Sequence, residues 1–224
     1  MEQSEFIRVA SFLEKLSERI MDTKISDKTI NRLTLYHCIL TDCIRKGIES
    51  ISSSMIASLL RIDDSQVRKD ISLLNNSGKS RVGYDVKDLK KAIEHKLAYS
   101  KVKNVFIVGA GNLGFALAKY NNFANYGLNI MALFDNNPLK HDVMIGEKKV
   151  YPLEELPLLA KEMDVDIAIL TVPYDVAQTV TDYMVSAGIK YIWNFAPVVL
   201  DVPQDVQVWN ENLMGNFLQF TYNK

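Results

Sequence analysis

The segment Gly109-Ala110-Gly111-Asn112-Leu113-Gly114 decides the fold of the larger part of the chain. It follows the apolar run 104–108, which is typical of a buried parallel strand, and it leads into residues 115–120, which are predicted to be helical. In a strand-turn-helix of this kind, the first glycine permits the tight turn, the second lets the backbone approach a pyrophosphate, and the third lets helix and strand pack closely. The free N–H groups at the start of the helix then point toward a diphosphate. The sequence therefore predicts a dinucleotide-binding turn.

A second predicted strand, from Asn129 to Phe134, ends at an acidic residue, Asp135. Asp135 lies 24 residues after Gly111 (135 − 111), close to the offset of about 20 at which a carboxylate binds the adenosine ribose. Such a carboxylate repels a 2′-phosphate, and no Arg follows in residues 136–140, although Lys140 is basic. We therefore expect the cofactor to be NAD(H) rather than NADP(H).

The remainder of the chain alternates predicted helices and strands, as in a doubly wound α/β sheet. Two of these strands end at residues 171–173 and 194–197, and ligands of such sheets bind beyond the carboxyl ends of the strands. Both segments are therefore expected to line the nicotinamide side of the site. The predicted cofactor-binding residues are Gly109, Ala110, Gly111, Asn112, Leu113, Gly114, Asp135, Thr171, Val172, Pro173, Asn194 and Phe195.

The region upstream of the turn, from Ser52 to Tyr84, has the layout of a helix-turn-helix followed by a wing. One predicted helix turns Val67, Ile71 and Leu74 toward a core, which leaves polar and basic side chains on its opposite face. Such a face suits phosphates and base edges. The candidate DNA-binding residues are Ser65, Gln66, Arg68, Lys69 and Ser72 on the helix, with Lys79 and Arg81 in the wing. The alternative is a solvated helix that carries two basic residues.

Positive charge is concentrated in this upstream region. Between Lys24 and Tyr84 the chain has ten Lys and Arg against six Asp and Glu, a balance of +4 (10 − 6), whereas the whole chain has a formal net charge of −1. This asymmetry is compatible with a polyanionic partner for one end of the molecule.

No catalytic constellation accompanies the predicted cofactor site. None of His37, His95 and His141 lies at the carboxyl end of a predicted strand. Tyr120 and Tyr174 are the nearest candidates for acid–base chemistry, and neither has a Lys partner at the usual spacing. We therefore expect a protein that binds the dinucleotide without transferring hydride, and hence not an enzyme.

The cysteines and the hydropathy pattern bound the class of protein. Cys38 and Cys43 lie on a predicted helix without a surrounding Cys/His cluster, so we expect two buried thiols and no metal site. No apolar run is long enough to cross a bilayer. The composition predicts a cytoplasmic protein that does not contact a membrane.

The chain from Ile25 onward resembles the bacterial Rex family of redox-sensing transcriptional repressors. The segments that carry the resemblance are residues 29–33, 51–53, 66–70, 82–86, 108–114, 134–135, 169–173, 187–190 and 194–197. The resemblance implies a homodimer in which each subunit has an N-terminal winged helix-turn-helix, a Rossmann domain and a C-terminal helix swapped onto the partner. The corresponding ranges are an extension helix over 1–24, a DNA-binding domain over 25–100, an NAD(H)-binding domain over 101–205 and a dimerisation helix over 206–224.

The resemblance also implies how such a repressor would respond to the NADH/NAD+ ratio. The oxidised cofactor would be compatible with binding to a palindromic operator, and NADH would close the subunits and release the DNA. Tyr120 would contribute to the cofactor site. Arg32 and Tyr120 would join a network with position 212 in the terminal helix of the partner subunit, which couples the nicotinamide pocket to the DNA-binding domain.

Three departures from the family pattern keep alternatives open. Asn212 stands where the family has an acidic residue, Phe115 where members usually have a basic one, and Asn136-Asn137 replaces an apolar–acidic pair. One alternative is therefore a Rex-like paralogue with a weakened redox response. The others are an NAD-dependent oxidoreductase, against which the missing acid–base group argues, and a CoA- or nucleotide-binding sensor, in which Asp135 would be less needed.

Overall fold

The computed structural model describes residues 25–74, 78 and 82–222. The chain divides into two compact units between Ala98 and Tyr99. The extension helix expected over residues 1–24 lies outside the described residues, as do the wing residues Lys79 and Arg81. Within the described ranges, no helix is both long enough and apolar enough to span a membrane.

The first unit is mainly helical, and polar residues fix where its helices begin. The Ser52 hydroxyl accepts a hydrogen bond from the Met55 N–H at 3.1 Å, and the Asp63 carboxylate accepts one from the Ser65 N–H at 2.7 Å. Such caps satisfy N–H groups that have no partner inside the helix. The elements are α1 (Asp27–Arg45), β1 (Ser50–Ile51), α2 (Ser53–Leu60), α3 (Asp64–Ser72), β2 (Tyr84–Asp85) and α4 (Val86–Lys96).

Helix α1 buries one face in the core of the first unit, through Leu33, Tyr36, Leu40 and Cys43. Cys38 is exposed, so the prediction of two buried thiols is wrong for this residue. The two cysteines are five positions apart (43 − 38), which separates them by about 140° around a helix of 3.6 residues per turn. Only Cys43 therefore lies on the buried face.

Strands β1 and β2 pair antiparallel, β1 just before the helix-turn-helix and β2 at the end of the predicted wing segment. Ile51 lies opposite Tyr84 in this pairing. Gly83, which precedes β2, has a φ of +93°, and a Cβ there would lie 2.5 Å from the Ile51 carbonyl oxygen. Glycine therefore permits both the left-handed backbone and the close approach of the two strands.

The second unit is built on a seven-stranded sheet with the order β5-β6-β4-β3-β7-β8-β9. Every neighbouring pair is parallel except β5 with β6. The strands are β3 (Lys103–Val108), β4 (Leu128–Asp135), β5 (Met144–Ile145), β6 (Lys148–Pro152), β7 (Ile167–Leu170), β8 (Tyr191–Asn194) and β9 (Gln207–Asn210). The helices are α5 (Asn112–Lys119), α6 (Leu156–Glu162), α7 (Tyr174–Ser186) and α8 (Leu213–Tyr222).

Residues 105–108 of the central strand β3 are buried on both faces. Phe106 and Val108 belong to the core cluster that includes residues of α6 and α7, whereas Val105 and Ile107 belong to the cluster that includes residues of α5. Alternate residues of a strand point to opposite faces, so a fully apolar strand is covered by helices on both sides. The expected α/β fold, with a helix-turn-helix unit before a doubly wound sheet, is confirmed.

The edges of the sheet differ from the sequence expectation. Strands β5, β6 and β9 were not predicted from the sequence. Strand β5 has only two residues and β9 has no buried residue, so neither leaves an apolar pattern in the sequence. Helix α8 carries Leu213, Phe217 and Phe220 on its surface, each more than half exposed. This helix leaves an apolar face uncovered within a single chain.

Candidate functional site

The predicted dinucleotide turn connects β3 to α5, and close packing requires two of its glycines. Gly109 has a φ of +108°, and a Cβ there would lie 2.8 Å from the backbone of Thr171. A Cβ on Gly114 would lie 2.0 Å from the Gly109 carbonyl oxygen. The Thr171 hydroxyl donates a hydrogen bond to that same oxygen at 2.7 Å. The turn is therefore held tightly against α5 and the end of β7.

The second glycine of the turn, Gly111, faces open space. It is the N-cap of α5, and among the described residues no side chain caps the helix and no atom lies within 4 Å of a Cβ added at this position. The first N–H groups of α5 thus lack a side-chain acceptor and stand at the positive end of the helix dipole. This arrangement fits a pyrophosphate, whose oxygens accept hydrogen bonds from such groups.

A cavity of about 480 Å³ opens beside this turn. It lies where β3, β4 and β7 end. The strands that follow β3 in sequence are added first on one side of it (β4 to β6) and then on the other (β7 to β9). Ligands of doubly wound sheets bind at such a switch point. The predicted cofactor residues that line the cavity are Gly109, Gly111, Leu113, Asp135, Thr171, Val172, Pro173 and Phe195.

Asp135 lines the cavity as a buried, charged carboxylate. It accepts hydrogen bonds from the Ala110 N–H at 2.9 Å, the Asn137 N–H at 2.8 Å and the Lys140 ammonium at 2.8 Å. Burial alone would raise the pKa of Asp135, but the Lys140 ammonium and the two backbone N–H groups outweigh it and hold the pKa below its usual value. The carboxylate therefore ties the glycine turn to the loop after β4.

The other predicted cofactor residues, Ala110, Asn112, Gly114, Tyr120 and Asn194, are not among those that line the cavity. Asn194 is fully buried, and its amide binds the Val198 carbonyl, the Asn210 side chain and the Ala196 N–H. Its contacts shape the loop after β8. Tyr120 is about half exposed, and its ring packs edge-on against Phe123 at 4.9 Å.

Several lining residues were not singled out from the sequence as cofactor residues. They include Asn136, Asn137, Lys140, Leu153, Val176 and Val180. Lys140 alone has a sequence signal, since it is a basic residue five positions after the predicted ribose-binding carboxylate. In the part of the chain that the structure describes, no group of three or more His, Cys, Asp or Glu could hold a metal ion.

The predicted DNA-binding face lies on α3 in the first unit. Helix α3 buries Val67 and Ile71, and the residues exposed on its surface are Ser65, Arg68, Lys69 and Ser72. Gln66, predicted to lie beside this face, is half-buried and donates a hydrogen bond to the Asp70 carboxylate at 2.9 Å. Arg68 is ion-paired with Asp64, one turn earlier on the same helix.

Asp70 anchors α3 to α1 through a buried network. Two nitrogens of the Arg32 guanidinium donate to its carboxylate at 2.6 and 2.8 Å, and the Tyr36 hydroxyl donates at 2.8 Å. Burial opposes ionisation of Asp70, but the hydrogen bonds from Arg32, Tyr36 and Gln66 outweigh it, so the pKa of Asp70 lies below its usual value. Arg32, expected to couple the two parts of the chain, is thus engaged inside the first unit.

Asn212, the other residue expected in the coupling network, begins the terminal helix. Its side-chain oxygen accepts a hydrogen bond from the Gly215 N–H at 2.8 Å. This is the contact of an N-cap, in which asparagine is as effective as aspartate. The amide therefore has a local structural role at the start of α8.

Two family models match successive parts of the chain. Residues 24–72 match a family described as "Putative DNA-binding protein N-terminus", and residues 100–198 match one described as "CoA binding domain". The first range contains the helix-turn-helix, and the second contains the glycine turn and most of the sheet.

The chain is similar over almost its whole length to proteins named redox-sensing transcriptional repressor Rex. It is 42% identical to the one from Desulfitobacterium hafniense over 200 residues, which cover 89% of this chain and 95% of that protein. It is 37% identical to the one from Bacteroides thetaiotaomicron over 199 residues, which cover 89% of this chain and 90% of that protein.

Solved structures of one repressor are also similar to the chain. A crystal structure of RSP in complex with β-NAD+ and operator DNA has a TM-score of 0.82 at 35% identity and covers 90% of this chain and 93% of that chain. A crystal structure of RSP in complex with β-NADH has a TM-score of 0.80 at 35% identity and covers 90% of this chain and 95% of that chain. RSP is described as a Rex-family repressor.

Proposed function

The chain belongs to the Rex family of redox-sensing transcriptional repressors, and we propose that it binds NAD(H) in the cavity of its second unit and operator DNA with helix α3 of its first. The observation that carries the proposal is the open N-terminus of α5, with the buried Asp135 carboxylate at the same cavity. The family consists of repressors rather than enzymes, which removes the oxidoreductase alternative.

In this proposal the second unit supplies a binding site and no reacting group. The N–H groups at the start of α5 bind the pyrophosphate, and Asp135 with its neighbours binds the adenosine ribose. The apolar residues Val172, Pro173 and Phe195 line the cavity and exclude water from the rest of the dinucleotide. The nicotinamide of the bound dinucleotide is either oxidised or reduced, and the protein distinguishes these two forms.

The first unit supplies the DNA contacts of the proposal. Lys69 and Arg68 are exposed on α3 and are suited to phosphates or guanine edges, with Ser65 and Ser72 on the same helix. A pair of such helices in a two-fold dimer reads two half-sites, so the operator is a palindrome. The exposed apolar side chains of α8 support the homodimer, because a second copy would cover them. A cytoplasmic location belongs to the same proposal.

The redox response follows from linkage in this proposal. NADH releases the DNA only if it binds the DNA-free conformation more tightly than the DNA-bound one, and NAD+ must lack that preference. One second candidate, a paralogue with a weakened response, rests on the contacts of Arg32 and Asn212. Arg32 is already paired with Asp70, and Asn212 carries an uncharged amide that caps α8, so a contact between these two residues would lack the charge of an Arg–carboxylate pair.

Replacing Lys69 by Ala tests the proposed DNA-binding face. Lys69 is exposed on α3. The logarithm of DNA affinity falls linearly with the logarithm of salt concentration, and the loss of one phosphate contact makes this slope shallower by about 0.9. Affinity for a palindromic duplex, measured by fluorescence anisotropy between low and moderate salt, should fall together with that slope. Lys46→Ala is the matched control. Lys46 lies just after the end of α1, is exposed on the first unit and pairs with Asp42. An unchanged slope for Lys69→Ala would remove α3 from the interface.

A further inference from the structure

A cluster of aromatic rings runs from the wall of the cavity to the surface of the second unit. Phe195 lines the cavity, and the Trp193 ring packs against it with the ring centroids 4.9 Å apart. Phe123 packs edge-on against Trp193 at 6.3 Å, and Tyr120 packs edge-on against Phe123 at 4.9 Å. Ring pairs at such distances attract each other beyond the effect of burying apolar area. The rings therefore form one continuous packed contact.

The sheet places Trp193 in the middle of this cluster. Trp193 lies in β8 and Phe195 follows the strand two positions later, so both side chains leave the sheet on the same face. Both pack against the core cluster that includes Ala118 of α5, and so does Phe123, which follows that helix. Phe195 cannot shift without disturbing Trp193, because close-packed side chains have little free space around them.

Trp193 also holds the segment that leads into the terminal helix. Its indole N–H donates a hydrogen bond to the Glu211 carboxylate at 3.4 Å. The backbone N–H of Glu211 donates to the Asn194 carbonyl at 2.8 Å. Glu211 lies in the connection between β9 and α8. The start of α8 is therefore attached to β8 through a backbone contact and through the Trp193 side chain.

We propose that Trp193 is a positioning residue that connects the cavity to the start of α8 and thereby determines how strongly bound NADH lowers the affinity for DNA. The inference rests on the proposed function, since it takes the nicotinamide to lie near Phe195 and the terminal helices to belong to the dimer. Trp193 is not among the described residues that line the cavity. It acts on the coupling between the two sites, which is a free energy separate from the affinity of either site for its own ligand.

The test measures NADH binding and the coupling separately, with the full-length protein. Isothermal titration calorimetry gives the affinity for NADH in the absence of DNA. Fluorescence anisotropy gives the dissociation constant of a palindromic duplex with saturating NADH and without it, and the ratio of the two constants is the coupling ratio. Trp193→Leu keeps an apolar side chain but removes the indole N–H and the ring contacts. We expect the affinity for NADH to change by less than about threefold and the coupling ratio to fall about fivefold or more.

Variants of Glu211 separate the hydrogen bond from the packing of the rings. Glu211→Ala removes the acceptor and should lower the coupling ratio, whereas Glu211→Gln keeps an acceptor oxygen and should retain most of it. Combining Glu211→Ala with Trp193→Leu should lower the ratio no further than Trp193→Leu alone, because both changes remove the same contact. A purely structural role of Trp193 would not produce this non-additivity.

Tyr151→Leu is the matched control, because it also removes an aromatic ring that packs against the wall of the cavity. Tyr151 lies in β6 and packs at 5.9 Å on Phe134, which lines the cavity, but it belongs to the core cluster on the opposite face of the sheet. Its coupling ratio should equal that of the natural protein.

Three results would overturn the inference and leave the proposed function intact. They are an unchanged coupling ratio in Trp193→Leu, an equal fall in Tyr151→Leu, and a loss of NADH affinity in Trp193→Leu as large as the loss of coupling. A natural protein whose affinity for DNA did not respond to NADH would instead contradict the proposed function itself.

Discussion

Gly114→Ala is expected to disrupt the fold of the second unit and to abolish dinucleotide binding. The added Cβ would lie 2.0 Å from the Gly109 carbonyl oxygen, which is backbone and is also held by Thr171. Neither the helix nor the turn can move without separating α5 from β3, so the cost should be about 3 kcal/mol or more. The chain has two tryptophans, Trp193 and Trp209, and both are in the second unit. Their fluorescence during urea unfolding therefore measures this loss directly.

Gly111→Ala is the matched control, because it adds the same methyl group to the same turn. No atom lies within 4 Å of a Cβ at Gly111, and its φ of −87° suits any residue. The urea midpoint should therefore change little, by less than about 0.5 kcal/mol in stability. The methyl group would occupy the space that a pyrophosphate needs, so NADH affinity should fall about tenfold or more. If Gly111→Ala bound NADH normally, the pyrophosphate would not lie over this turn.

The second large effect is expected at Asp70. Asp70→Asn removes the negative charge that holds Arg32, Tyr36 and Gln66 together between α1 and α3. Breaking a buried ion pair by changing one partner costs about 3 kcal/mol, the lower end of the usual range, because the Arg32 side chain is 22% exposed. The loss should appear in helical circular dichroism, whereas the tryptophan fluorescence of the second unit should change little.

The effect of Asp70→Asn should depend on pH in a defined direction. The pKa of folded Asp70 lies below its usual value of about 3.9, so its ionised form stabilises the first unit at pH values above that. This contribution is lost as the pH falls through the lowered folded pKa. The stability difference between the natural protein and the variant should therefore be full at neutral pH and should shrink in strong acid.

An exposed ion pair provides the control for the Asp70 experiment. Asp42→Asn breaks the pair with Lys46, in which both side chains are about half exposed or more, and it should destabilise the first unit far less than Asp70→Asn does. An effect of Asp70→Asn no larger than that of Asp42→Asn would mean that the buried network does not anchor α3.

The parts of the fold that local sequence determines were predictable. The glycine turn follows from three glycines at fixed spacing after an apolar strand, and α2 and α3 begin at Ser52 and Asp63 because these residues cap the helices. Elements that form only because a neighbouring strand pairs with them were missed. Strand β9 has no buried residue, and it forms by pairing with β8 across a 12-residue connection (206 − 194).

The candidate site shows the same division between local and tertiary signals. The end of β4 could be located from sequence, and Asp135 lines the cavity there. Its pairing with Lys140 could not be predicted, because the turn after β4 determines where the ammonium lies. Asn194 ends a strand as expected, but its side chain binds the loop after β8, a contact for which periodicity gives no signal. Asp70 likewise contacts Arg32 across 38 residues of sequence.

If the oxidation state of the nicotinamide controls DNA binding, as we claim, a single titration shows it. A fluorescein-labelled palindromic duplex, selected from a random-sequence library by its binding to the protein, is titrated with NADH and separately with NAD+ while anisotropy reports the bound fraction. We predict that NADH releases the duplex at a concentration at least about tenfold lower than NAD+ does, since only a ligand with different affinities for the two conformations shifts their equilibrium. Equal release by both dinucleotides, or release by neither, would contradict the claim.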